Sequence, residues 1–77
     1  MTYAECKEIA EAQAARINTT IDTAYSIKND FVFDNSQGKF AGVLPVVVIS
    51  ETGETMGLWK YLLDFDLFMD DMKEIDL

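Results

Sequence analysis

The sequence predicts an α+β domain: an N-terminal helix, a small antiparallel sheet of two or three strands and a C-terminal acidic helix, in one domain spanning residues 1–77. Three observations predict it. Thr2 and Glu5 have the spacing of a capping box ahead of a long helical periodicity. The run Val46-Val47-Val48-Ile49 is β-branched throughout. After Gly57, aromatic and aliphatic residues recur at helical spacing among acids.

Taken in order, the first helix carries an apolar arc through Cys6, Ile9, Ala10, Gln13, Ala14, Ile17, Thr20, Ile21, Ala24, Tyr25 and Ile27. Its alanines favour helix and permit close packing. Glu8, Glu11 and Asp22 lie roughly opposite as a solvated row. Asn18, Thr19 and Thr20 are weaker helix formers and mark a place for a kink or a break, while Asn29 and Asp30 serve as terminators. Phe31 to Asp34 reads as a strand ending in the turn Asn-Ser-Gln-Gly, and residues 39–43 return as a second strand. Pro45 lacks a ladder donor and fits a bend or an edge. Val46 to Ser50 is the clearest strand; both parities are apolar, so it reads as central and covered on both sides. Residues 51–54 form an exposed turn.

Gly57 to Asp76 organises the rest. As a helix it places Tyr61, Phe65, Phe68, Met69, Met72 and Ile75 on one broad face, with Leu62 at the margin. Trp59, Leu63 and Leu67 recur at i, i+4 and i+8 as a second stripe. Asp66 and Asp70 lie between the stripes, with Lys73 alongside; Lys60, Asp64, Asp71 and Glu74 lie beyond the second. A helix on a sheet buries one broad face. The second stripe is therefore covered by the first helix, covered by a partner, or exposed. A strand reading of residues 55–61 competes, because Thr-Gly is turn-like, and would start the helix near Asp64 or Asp66.

Charge narrows the function classes. The chain has 14 acids and 6 bases, a net charge of −8, with 49% apolar residues, which argues for a folded chain. The imbalance is uneven: residues 1–30 carry −2, residues 31–50 are neutral and residues 51–77 carry −6. A field of this sign repels nucleic acid and membrane phosphate and attracts basic protein surfaces. Direct nucleic-acid or membrane binding is not expected. Cys6 is the only cysteine, which excludes an internal disulfide and fits a reducing, cytoplasmic setting; it reads as a small buried hydrophobe. The N-terminus lacks a secretory signal pattern, and the apolar run 43–49 is too short to span a bilayer.

No histidine is present, which removes the commonest general base and zinc ligand. Gly38-Lys39 has no phosphate-loop spacing, and Gly53 and Gly57 form no dinucleotide fingerprint. No catalytic residues, cofactor or dedicated metal site are expected; Asp64, Asp66, Asp70 and Asp71 lack a calcium-loop pattern. Binding classes remain. In one, Asp64, Asp66, Asp70, Asp71 and Glu74 steer the protein onto a basic surface of a nucleic-acid-handling protein, and Trp59, Leu63 or Leu67 anchors it. In size, acidity and lack of catalytic residues the chain resembles, as a class, small virus-encoded acidic mimics that inhibit restriction or CRISPR defence. In the other, an accessory or assembly protein homodimerises or docks through the Trp59–Leu63–Leu67 stripe.

Overall fold

The computed structural model describes residues 1–37 and 44–77. Helix α1, Tyr3–Ala15, is followed by strands β1, Thr23–Ile27; β2, Asp30–Asp34; β3, Val46–Val48; and β4, Thr55–Gly57. Helix α2, Leu58–Asp64, a 3₁₀ turn at Met69–Asp71 and strand β5, Lys73–Ile75, complete the chain. The strands form one antiparallel sheet in the order β4-β3-β2-β1-β5.

The capping box forms as its spacing predicts. Thr2 Oγ1 accepts from the Glu5 N–H at 3.2 Å, and Glu5 Oε1 accepts from the Thr2 N–H at 2.8 Å. The helix is half the predicted length. Asn18 takes a left-handed φ of 57°, its N–H reaching Ala15 O while the Thr19 N–H reaches Ala14 O. That pair of bonds closes a helix C-terminus, and Asn tolerates the conformation it needs. Ile21, Ala24 and Ile27 therefore leave the helical arc. Ala24 packs on the α1 side of the sheet and Ile27 on the α2 side, because they sit at opposite parities of β1.

The expected strand at Phe31 to Asp34 is β2, joined to β1 by a two-residue turn in which Lys28 has φ 52°. The second strand expected at residues 39–43 lies outside the described residues. Val46–Val48 is internal, between β2 and β4, and all three valines are buried. The doubly covered strand expected at Val46 to Ser50 is thus present over Val46–Val48, while Ile49 and Ser50 lie beyond its end and are half-buried. Pro45 follows a cis peptide bond and precedes β3. Val46 and Val48 join Cys6, Ala10, Ala14 and Phe33 beneath α1; Val47 joins Ile27, Val32, Leu58, Tyr61 and Leu62 beneath α2. The two helices thus cover opposite faces of one sheet.

The predicted sheet of two or three strands is corrected to five, and the predicted C-terminal acidic helix is neither continuous nor terminal. The chain follows the strand reading for Thr55–Gly57 and then turns helical at Leu58. It leaves the helix after Asp64, by the device that ends α1. Asp66 has φ 54°; its N–H reaches Leu63 O at 3.4 Å, and the Leu67 N–H reaches Leu62 O at 2.8 Å. Leu67 is thereby folded back onto the α2 core. Asp71 Oδ2 then accepts from the Phe68 N–H at 2.8 Å, shaping the 3₁₀ turn that leads into β5. β5 pairs with β1, where Glu74 stands opposite Tyr25 and Ile75 opposite Ala24. Among the described residues, no helix is long and apolar enough to cross a membrane.

Candidate interaction site

Helix α2 presents two unlike faces. Leu58, Tyr61 and Leu62 point into the core, whereas Trp59 and Leu63, one turn apart, are 62% and 82% exposed. Because α1 lies across the sheet, it does not cover this stripe; the first of the three sequence alternatives is excluded. The stripe is also shorter than expected. Leu67 belongs to the α2 core and is half-buried, so Trp59 and Leu63 stand without it. Phe65, Phe68 and Met69, expected on the core face of a longer helix, are exposed instead, Phe68 by 70%. The Phe65 ring leans on Tyr61, with centroids 4.7 Å apart, and holds the Lys28 ammonium 4.1 Å above it.

The acids are distributed along this apolar edge. Asp64 takes Lys60 in an exposed i,i+4 ion pair of 2.9 Å, worth a few tenths of a kcal/mol at most. Asp66 occupies the left-handed closing position of α2. Asp70 and Asp71 are both exposed on the 3₁₀ turn, where Asp71 also caps the Phe68 N–H. Glu74 is exposed on β5 and shares a sheet face with its ladder neighbour Tyr25. All eight sequence-nominated residues thus lie on α2 and the segment that follows it. Seven of them are exposed, and Leu67 is the one drawn inward.

A pocket of about 310 Å³ ties these elements together. Trp59 and Leu58 of α2, Met69 of the 3₁₀ turn and Met72 line it from the outer layer. Tyr25 and Asp34 line it from the sheet, with Pro45 just ahead of β3. Trp59 and Met69, both exposed, line the pocket together, which brings the α2 stripe beside the turn carrying Asp70 and Asp71. Asp34 is half-buried. It accepts the Asn35 N–H at 2.8 Å, yet burial pushes its carboxyl above the usual carboxylate range, and the neighbouring charge of Asp22 adds to the push. Among the described residues it has no ion-pair partner. Sequence reading missed this pocket because it placed Tyr25 on a helix. The available signal was strand parity: a two-residue turn at Lys28-Asn29 puts Thr23, Tyr25 and Ile27 on one face with Asp30, Val32 and Asp34.

No group of three or more Cys, Asp or Glu side chains converges as a metal site among the described residues. Cys6 is fully buried on the core-facing side of α1, and burial raises its thiol pKa, as expected of a packing residue. Comparison with known protein families, characterised proteins and solved structures finds no match, so no activity carries over from a relative.

Proposed function

We propose that this is a non-enzymatic binding protein that blocks a basic surface of a nucleic-acid-handling protein, in the manner of small virus-encoded anti-restriction and anti-CRISPR inhibitors. The observation that carries the reading is the coincidence of uncovered Trp59 and Leu63 with the most acidic part of the chain. Exposed apolar residues that the fold does not need mark contact surfaces, and aromatic anchors carry most interface energy. Asp64, Asp66, Asp70, Asp71 and Glu74, exposed on the end of α2 and the segment that follows it, supply a steering field for a cationic partner. The reading implies a cytoplasmic setting, in keeping with the single reduced cysteine. It involves no direct contact with nucleic acid or membrane, and no cofactor.

A second reading, a homodimeric accessory protein, draws on the same Trp59–Leu63 stripe. The length of α2 weighs against it. Seven residues span about 10 Å, too little for a helix–helix seam to supply the roughly 1,200–2,000 Å² of a stable interface by itself. An anchor inserted into a partner's groove needs no such length.

The test is capture of partners by wild type and by an Asp66→Asn/Asp70→Asn/Asp71→Asn variant, at low and high salt. The expected partners are basic nucleic-acid-handling proteins, lost at high salt and lost to the variant. Salt-insensitive capture of neutral or acidic proteins by both forms would overturn the reading.

A further inference from the structure

We infer that the pocket between α2 and the sheet receives an arginine side chain of the partner. The inference rests on the basic-partner reading above and assigns its central contact. Three features of the pocket select this occupant. Its volume, about 310 Å³, sits at the low end of ligand sites, roughly 300–1,000 Å³, and suits one long side chain. Its walls are apolar and aromatic: Trp59 and Tyr25 contribute aromatic rings, while Leu58, Met69 and Met72 offer a lining for a methylene stem. Its one carboxylate, Asp34, is half-buried, and among the described residues no cation pairs with it.

A half-buried carboxylate beside aromatic rings calls for a cation that stacks as well as pairs. Guanidinium does both: its planar face lies on indole or phenol rings, and its edge offers parallel N–H donors to a carboxylate. Ammonium is a compact, strongly hydrated charge that forgoes the stacking. The surrounding electrostatics agree. The charge felt most by Asp34 is that of Asp22, and Glu74 stands on the same sheet face beside Tyr25, so an arriving cation relieves repulsion. The Lys28 ammonium over Phe65 shows the same cation–ring chemistry formed within the chain.

The experiment uses the whole protein and a small probe. Trp59 is the only tryptophan, so its fluorescence reports on this pocket alone. N-acetylarginine methylamide is titrated against its neutral citrulline counterpart and against N-acetyllysine methylamide. The expected result is saturable binding of the arginine probe with a dissociation constant on the order of 1–10 mM, about tenfold weaker binding of the other two, and loss of that preference in Asp34→Asn. Met69→Lys, a surface change that supplies a competing cation at the pocket, should also weaken the arginine probe. Equal responses to arginine and citrulline, or an arginine preference that survives both substitutions, would overturn the assignment. Since the titration needs no partner, a failed pocket alongside successful capture removes only this inference. Selective arginine binding without a basic partner instead removes the proposed function and keeps the pocket.

Discussion

The Tyr61 hydroxyl donates to Asp30 Oδ2 at 2.5 Å, joining the buried side of α2 to the first residue of β2. Asp30 Oδ1 meanwhile accepts from the Ser50 N–H at 2.9 Å, just beyond β3. One carboxylate thus fastens the helix that displays Trp59 to two strands of the sheet. Burial, followed by the bond to Asp30, raises the Tyr61 pKa strongly, since ionisation would set a phenolate against a carboxylate.

Tyr61→Phe is expected to cost about 1.5–3 kcal/mol, the range for a hydrogen bond to a charged group. The pH dependence follows from the raised pKa. Stability from Tyr61 is fully present below its unfolded value near 10 and is lost as pH rises from there toward the folded value. Denaturant titrations between pH 7 and 11 check both points: the variant starts lower and has the flatter alkaline limb. A weaker slope should persist, because burial also raises Tyr3.

Trp59→Ala and Leu63→Asp should leave stability within about 0.5 kcal/mol of wild type, since neither side chain is needed by the core. Each should weaken partner binding by tenfold or more. Thermal melts beside a binding isotherm make the comparison. A large loss of stability would mean that these residues serve the fold.

Asp34→Asn is expected to separate stability from binding. A carboxyl whose folded pKa is raised stabilises the fold least when ionised, and that penalty grows as pH rises through the folded value. The amide can still accept the Asn35 N–H. At pH 7 the variant should therefore be as stable as wild type or slightly more so, while arginine selectivity disappears. Melts at pH 4 and pH 7 should show the advantage shrinking toward the acid end.

Gly53→Ala should destabilise by about 1–2 kcal/mol, the cost of a left-handed conformation for a residue with a Cβ. Gly53 has φ 79° in the β3–β4 turn, and an added Cβ would meet Met1 Sδ at 2.6 Å and Ile9 Cδ1 at 3.2 Å. Equilibrium unfolding measures the loss. Binding should be unaffected, since the neighbours of Gly53 are Met1 and the α1 residue Ile9, neither of which belongs to the Trp59 surface.

The sequence was most readable where one local device acts alone. Thr2 and Glu5 announce α1, and three consecutive valines announce a strand covered on both faces. It was least readable where helical spacing and strand alternation coincide. Ile21, Ala24 and Ile27 fit an i, i+3 arc, yet they serve opposite faces of the sheet once Asn18 closes the helix. Likewise Phe65 to Ile75 keeps an apolar rhythm through a left-handed Asp66, a 3₁₀ turn and an edge strand. Only tertiary pairing with β1 decides that β5 is a strand. For the site, Trp59 and Leu63 were legible because a second stripe on a helix has nowhere to go. Tyr25 and Asp34 were not, because their meeting depends on the β1–β2 register.

On the proposed function, the acidic, Trp59-bearing surface occupies the place where the partner binds nucleic acid. The most direct measurement is the affinity of this protein for the captured partner across increasing concentrations of that partner's DNA or RNA. Mutual exclusion predicts an apparent dissociation constant that rises in proportion to nucleic-acid concentration, with no ternary complex in sedimentation. An affinity independent of nucleic acid, with all three components sedimenting together, would contradict it.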